Sequence, residues 1–464
     1  MERVITAETS IVKLSTLAGS TRIDAEFYQP HYLSVYDAVN KIECATIGRI
    51  AQKCKKGIFD IKAQEYTPTG IPFIRITNLK EGLIDDTDLV FIPPGIHQSE
   101  IGTEFQEDDI AISKTAYPAA SLITFDKCNI SQDIIGLSLS SDWKKKLDSA
   151  YVIAFLNSKY GLSEMEQWFQ GNVQMHLALP DVKRILIPLI SRDKQKKIKT
   201  LYDLARSQQQ ESASLHAEAN DVFLAQLGLL RVDSKYSHSY TASLSNAFKA
   251  QRADAEYFQP CYQELITKVA ERAELRELRS FFQNDMQKGV EVGSENYEDA
   301  GNRFIRVSNV STKGLIDRDQ KHIASELFEQ LKDLYQPLLG DILLTKDATP
   351  GIAYVLKEEI DGILSSGILR LRIDETEINK EYLAFCINSL FGKLQMERDC
   401  GGSVITHWRP EQIKKLLIPV LPDIVQRDIA LLVTKSYLTR MTAKRSLAEA
   451  KTEVEASIRM ASEA

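Results

Sequence analysis

Long apolar runs are missing from this chain of 464 residues. No stretch of 18 or more apolar residues occurs, so no segment reads as a membrane-spanning helix. The opening Met1-Glu-Arg-Val-Ile-Thr6 lacks the apolar centre of a secretory signal. Cysteine is sparse: six residues, at 44, 54, 128, 261, 386 and 400, with no C-x-x-C pair. That pattern argues against a disulfide framework or a zinc knuckle, and for free thiols in a reducing cytoplasm. A basic excess is also absent, since 57 Lys and Arg face 64 Asp and Glu for a net charge of −7. A chain that binds nucleic acid unaided usually carries the opposite balance, because phosphate neutralisation supplies most of the affinity. Either such binding is excluded, or the basic residues are local, or partner subunits bring the rest. No G-x-x-x-x-G-K-[ST], H-E-x-x-H or G-x-S-x-G occurs, which removes the commonest nucleotide, zinc-protease and serine-hydrolase signatures.

What is present is a repeat. Arg22-Ile-Asp-Ala-Glu-Phe-Tyr-Gln-Pro30 returns as Arg252-Ala-Asp-Ala-Glu-Tyr-Phe-Gln-Pro260, an offset of 230 (252 − 22). Phe73-Ile-Arg-Ile-Thr-Asn78 returns as Phe304-Ile-Arg-Val-Ser-Asn309, offset 231 (304 − 73). Gly82-Leu-Ile-Asp85 and Asp109-Ile-Ala-Ile-Ser-Lys114 return as Gly314-Leu-Ile-Asp317 and Asp341-Ile-Leu-Leu-Thr-Lys346, both at 232 (314 − 82, 341 − 109). Further on, Tyr151, Asn157-Ser158, Gly171, Val173, His176, Lys183 and Ile187-Pro188 match Tyr382, Asn388-Ser389, Gly402, Val404, His407, Lys414 and Ile418-Pro419. An offset that drifts so little over so many blocks means two homologous halves.

Each half has the same grammar. Its first part mixes short apolar runs with Gly, Pro and Asp. Phe73-Ile-Arg-Ile and Asp109-Ile-Ala-Ile alternate with period two and predict strands, Asp341-Ile-Leu-Leu predicts a buried strand, and Tyr151–Leu156 and Tyr382–Ile387 predict short helices. From Arg192 to Gln226 there is no Gly or Pro. Ile198, Leu201, Ala205, Gln208, Ser212, Leu215, Ala219 and Val222 then fall on steps of three and four, a heptad seam with a polar middle. A second such helix is expected over about Asp423–Ser462, with Ile429, Val433, Tyr437, Leu447, Val454 and Ile458 on one side. Neither can bury its stripe alone, so the two are expected to pack antiparallel. The expected fold is α+β: two homologous mixed α/β domains separated by two long antiparallel helices, a pseudo-two-fold dumbbell. Its segments are 1–190, a helix at 191–227, 228–420 with a linker at 228–250, and a helix at 421–464. A helix of some 35 residues is about 50 Å long, or about 15 base pairs of duplex, which suits two half-sites separated by unread bases.

The R-x-D-A-E-x-x-Q-P segment, the F-I-R-[IV]-[TS]-N and [DG]-D-I blocks, the closing I-P and the long helix after each globule resemble the specificity subunit of Type I restriction-modification systems. The resemblance runs through essentially the whole chain, in order and twice. It implies that each globule is a target-recognition domain reading half of a bipartite double-stranded DNA target. It further implies that the helices dock adenine-N6 methyltransferase subunits, and that ATP-driven translocase and nuclease subunits join them. On that footing this chain is noncatalytic and holds no cofactor, S-adenosylmethionine, ATP and Mg belonging to the partners. Consistently, no N-P-P-[FY] tetrapeptide of the adenine methyltransferase kind occurs. The enclosing methyltransferase subunits would also answer the acidic charge.

Several residues are candidate DNA contacts, and each also has a plainer structural role. Arg75 with Asn78 and Arg306 with Asn309 carry the side chains that pair with guanine and adenine edges. Being identical in both halves, they equally suit a shared scaffold or a phosphate contact. Lys114, Thr115 and Tyr117 correspond to Lys346, Asp347 and Thr349, a fixed Lys–Ala–Pro frame with different residues between. The alternative is drift in a surface loop. Lys53, Lys55 and Lys56 read as a basic loop over the phosphates or a solvated turn, with Lys288 as the remaining counterpart. His176 and His407 recur beside Gln174 and Arg409 with no carboxylate or cysteine cluster, so a hydrogen-bonding role is expected rather than a metal or catalytic one. Asp24, Glu26, Asp254 and Glu256 are expected in salt bridges or turn caps. Two other function classes stay open: a structural adaptor whose helices and globules bind proteins, and a self-contained methyltransferase-nuclease.

Overall fold

The computed structural model describes residues 9–13, 22–86, 88–169, 176–230, 236–317, 319–400 and 406–463. The chain forms two compact units, Met1–Gln209 with Arg440–Ala464, and Gln210–Thr439. The division cuts through both long helices, so each unit takes a stretch of each.

In the first unit a five-stranded sheet runs Ala51–Lys56, Ile134–Leu139, Ile110–Ser113, Ala120–Leu122, Gly82–Leu83. A four-stranded sheet runs Val90–Ile92, Ile71–Ile74, Cys128–Ile130, Glu104–Phe105. The second unit repeats this order with Gln287–Lys288, Ile368–Leu371, Ile342–Thr345, Ala353–Val355 in one sheet and Lys321–Ile323, Asn302–Ile305, Gly362–Leu364 in the other. In each unit the strand that ends within the F-I-R block pairs parallel with one neighbour and antiparallel with the other. The repeat in sequence is therefore a repeat in topology. The strand Ile110–Ser113 is buried on both faces, so its alternation of Ile and Ala reflects the sizes of two packed layers rather than one wet face.

Most repeated residues are explained by packing. Asn157 and Asn388 each clamp the edge of a strand. Their Oδ1 atoms accept from the Ala120 and Ala353 N–H at 3.0 Å, and their Nδ2 atoms donate to the same residues' carbonyls at 2.7 Å. Ser158 and Ser389 cap the next helices by accepting from Gly161 and Gly392. A Cβ on either glycine would fall 2.2–2.3 Å from a backbone carbonyl of the preceding helix. Tyr151 and Tyr382, fully buried, donate to the Pro188 and Pro419 carbonyls at 2.6 Å. That bond fixes the I-P strand just ahead of each long helix.

The R-x-D-A-E segments are staples. Arg22 bonds both carboxylate oxygens of Asp24, at 2.8 and 2.6 Å, and reaches the Gln167 carbonyl near the end of helix Lys159–Trp168. Arg252 does the same with Asp254, at 2.7 Å twice, and with the Asp399 carbonyl at 2.9 Å, ending helix Leu390–Asp399. A guanidinium there satisfies carbonyls the helix leaves open and sits at its negative end. Asp24 and Asp254 are thus in the expected salt bridges, while Glu26 and Glu256 are exposed.

The long helices span Arg192–Gln226 and Asp423–Glu463. In the first unit Ile198, Tyr202 and Ala205 share a core with Ala443, Ala450, Val454 and Ile458. In the second, Ala219 and Phe223 share one with Ile429. The beginning of one helix packs with the end of the other, the antiparallel order expected. The polar middle of the seam is resolved by two buried serines: Ser212 Oγ donates to the Ser436 carbonyl at 2.8 Å and Ser436 Oγ to the Ser212 carbonyl at 2.7 Å.

Candidate nucleic-acid interface

The strand Ile110–Ser113 leaves its sheet into Lys114-Thr-Ala-Tyr-Pro118, and Ile342–Thr345 leaves its own into Lys346-Asp-Ala-Thr-Pro350. The last residue of each strand sets the loop. Ser113 Oγ donates to the Tyr117 carbonyl at 2.5 Å, and Thr345 Oγ1 to that of Thr349 at 2.6 Å. Both loops carry an alanine in the left-handed region, Ala116 at φ 68° and Ala348 at φ 60°. A non-glycine residue held there costs about 1–3 kcal/mol and persists only where the surroundings over-determine it. Two copies of the same strain at the same exposed place mark the loops as built features.

Each loop is pinned from both sides. The Lys114 N–H donates to the Asp133 carbonyl at 2.8 Å and the Lys114 carbonyl accepts from Leu177 N at 2.8 Å. In the second unit the Lys346 N–H donates to Gly367 and its carbonyl accepts from Trp408. Thr115 pairs across an isolated bridge with His176, and Asp347 with His407. Residues some 60 apart in sequence (176 − 115, 407 − 347) are thereby brought together as one surface. Side chains diverge on this shared frame. In the second unit His407 Nδ1 lies 2.8 Å from one Asp347 oxygen and Lys346 Nζ 2.5 Å from the other. Burial works to raise the Asp347 carboxyl, but His407 and Lys346 together outweigh it and hold it below the usual carboxylate range. Thr349, His176, His407 and Arg409 are exposed, Arg409 also capping the short helix Pro410–Ile413 through Gln412. Gln174 lies outside the described residues.

Several expected contacts turn out to belong to the frame. Arg75 and Arg306 do not lie within strands. The strands end at Ile74 and Ile305, and Asn78 and Asn309 close one-turn 3-10 helices, Ile76–Asn78 and Val307–Asn309. Asn78 is buried; its Oδ1 accepts from Arg75 N at 2.9 Å and its Nδ2 donates to the Asp85 carbonyl at 2.9 Å. Asn309 repeats both bonds at 3.0 Å with Arg306 and Ile316. A side chain spent in this way cannot read a base, which corrects the expectation for both asparagines. Arg75 donates through Nη2 to the Asp88 carbonyl at 2.6 Å, and Arg306 to the Asp319 carboxylate at 2.7 Å, so neither is a free cation. Tyr117 is committed as well: its hydroxyl donates to the carbonyls of Ile76 at 3.0 Å and Leu79 at 3.2 Å, tying the loop to the Arg75 turn.

The expected basic loop is a strand. Lys53, Lys55 and Lys56 lie on Ala51–Lys56, an edge of the five-stranded sheet, and Lys288 lies on the matching edge. Lys53 donates to the Glu104 carbonyl and sits 4.4 Å from the Phe105 ring centre, so its ammonium is already engaged within the unit. Lys55, Lys56 and Lys288 remain exposed. Lysines on an edge strand also discourage sheet-to-sheet pairing with another chain.

A feature absent from the sequence reading sits beside the Arg75 turn: a recess of about 220 Å³ lined by Tyr66, Phe73, Arg75, Asp60, Gln132 and Asp133, among others. Arg75 Nε and Ser131 Oγ at this place are buried without a hydrogen-bond partner. Among the described residues no hydrogen bond or ion pair engages the side chains of Asp60, Gln132 or Asp133. The available signal was the mismatch of Gln132-Asp133 with Ser366-Gly367 behind the matched Ser131 and Ser365.

Among the described residues no cluster of His, Cys, Asp and Glu could hold a metal ion. Burial pushes the Cys44 and Cys54 thiols up to about 11, the reverse of what a nucleophilic thiolate needs. No helix among the described residues is long and apolar enough to cross a membrane.

No protein-family model and no curated protein matches the sequence. Among solved structures, the chain is similar to the S subunit of a Type I restriction-modification system from M. genitalium. The identity is 14%, over 91% of this chain and 96% of that one, with a TM-score of 0.38. It is similar to the HsdS subunit from Thermoanaerobacter tengcongensis at 15% identity, over 90% and 96% of the two chains, with a TM-score of 0.27. A chain from a structure of complex assembly and conformational transition in the type I R-M system matches at 14% identity over 90% and 97%, with a TM-score of 0.28. Each of these three matches spans about nine-tenths of this chain, and each comes from a Type I restriction-modification system.

Proposed function

We propose that this chain is the noncatalytic specificity subunit of a Type I restriction-modification complex in the cytoplasm. It reads a bipartite, asymmetric double-stranded DNA target and docks adenine-N6 methyltransferase and restriction subunits. The observation that carries this reading is the division of labour repeated in both units. The backbone of the two loops is held by the same bonds, whereas the side chains on it differ: Thr115 stands against Asp347, which pairs with His407 and Lys346, and Tyr117, tied to the turn after Arg75, against the exposed Thr349. A pair of heads with one frame and two sets of side chains is suited to two different half-sites.

Docking of partners is supported by helix Asp423–Glu463. Ile424, Leu431 and Leu438 recur every seven residues on its stretch in the second unit and are 65%, 52% and 57% exposed. Apolar side chains at heptad spacing on an exposed helix face suit a partner helix. S-adenosylmethionine, ATP and Mg are assigned to the partners, whose basic surfaces would offset the net charge of −7. The test is a methyl-transfer assay on duplex DNA with purified components. Transfer is expected only when this chain and its methyltransferase are combined. Transfer by this chain alone, or undiminished transfer without it, contradicts the proposal.

A further inference from the structure

The recess beside Arg75 separates the two heads more sharply than the loops do. Its rear frame is shared. Tyr66 and Phe73 have ring centres 5.9 Å apart, Tyr297 and Phe304 5.7 Å apart. Ser131 N and Ser365 N donate to the Ile74 and Ile305 carbonyls at 2.9 and 2.8 Å. The front is not shared. Asp60, Gln132 and Asp133 stand where the second unit has Val292, Ser366 and Gly367. Space differs with sequence: a Cβ on Gly367 would lie 2.7 Å from Val307 Cγ2, so the second unit has no room for a side chain where the first carries Asp133.

Chemistry limits what the recess accepts. The Asp60 and Asp133 carboxylates outnumber the single Arg75 guanidinium in the lining and so disfavour phosphate; with the Gln132 carboxamide, and with no side-chain bond to any of the three among the described residues, they favour a partner that donates hydrogen bonds. Base edges with an exocyclic amine do so in the major groove. Glutamine pairs with adenine through N6 and N7, and a carboxylate accepts from cytosine N4. The recess also adjoins the loop surface directly, because the Asp133 carbonyl holds Lys114 and Tyr117 holds the turn after Arg75. A residue that reads a base needs hydrogen-bonding capacity to spare, and the side chains of these three have it among the described residues.

We propose that the Asp60–Gln132–Asp133 recess is the specificity pocket of the first unit and takes the amine-bearing edge of an adenine or cytosine. The inference rests on the proposed DNA-reading function and names where one unit does its reading. The test uses the full chain co-expressed with an adenine methyltransferase from the same genome in a methylation-free host, with the host genome as probe. Asp60→Asn, Gln132→Ser and Asp133→Asn, which leave the backbone bonds of the frame available, are each compared with the unaltered chain by mapping methylated adenines.

At least one variant is expected to relax a single base pair of one half-site, with discrimination there falling roughly tenfold to a hundredfold. The other half-site should stay intact, which also reports that the variant chain is folded and assembled. An unchanged motif in all three variants overturns the pocket. So does a uniform fall in methylation with both half-sites still read as before, since that would mean a role in affinity or folding alone. If the unaltered chain yields no motif, the DNA-reading function itself fails and the pocket with it, a result visible before any variant is made.

Discussion

Glu164 accepts a hydrogen bond from the Leu186 N–H at 3.4 Å, in the place where Gln395 accepts one from Leu417 at 3.0 Å. Gln395 is satisfied at both ends, its Nε2 donating to the Leu417 carbonyl at 3.0 Å. Glu164 is buried with Oε1 unpartnered, and burial pushes its carboxyl up to about 7, the Leu186 bond only partly opposing this. The same core site thus carries a satisfied amide in one unit and a poorly satisfied acid in the other.

A pH dependence of the first unit follows. The unfolded chain ionises Glu164 near 4.5 and the folded chain near 7. The native state therefore binds the extra proton, and stability falls as pH rises between those values, then stays level above them. Glu164→Gln should remove that slope and stabilise the first unit at pH 8 by on the order of 3 kcal/mol at most. Urea melts of the two proteins at pH 5 and pH 8 measure it. An equal response to pH in both would contradict the assignment.

Arg306 separates the two readings that its sequence leaves open, a DNA contact and a part of the shared scaffold. Read as a DNA contact, its loss should leave folding untouched. The structure bonds it to Asp319, whose carboxyl is held below the usual range by Arg306 first and Lys321 second. Arg306→Ala should cost the second unit about 1 kcal/mol even without DNA. An unshifted denaturation midpoint would return Arg306 to the role of a free cation.

The exposed heptad face predicts a separable defect. Leu431→Glu, with or without Ile424→Glu, should leave the melting temperature within a degree or two (about 0.5 kcal/mol or less for a surface site), yet abolish co-purification with the methyltransferase. Retained co-purification by a folded double variant would place partner docking elsewhere.

The repeat, both long helices and the short helices were legible in the sequence because they rest on periodicity and on identities between the halves. The long helix Arg192–Gln226 matches its expected limits, since the absence of Gly and Pro bounds it on both sides. Identity between halves was less informative about function. Asn78, Asn309, Asn157 and Tyr151 are repeated because each closes a backbone hydrogen bond that both folds need. The recess was invisible because Asp60 and Gln132 are 72 positions apart (132 − 60) and are brought together by strand pairing and the parallel contact of Ile58 with Ser131. For Lys53 a sequence displays the charge and not the ring and carbonyl that hold it.

The central claim is tested most directly by mapping methylated adenines in a methylation-free host that expresses this chain with its adenine methyltransferase, against the same host lacking this chain. The account predicts a split motif, two short and different half-sites around unread bases, present only when this chain is present. Co-purification of the two proteins with no new motif would contradict it and leave the chain a structural adaptor.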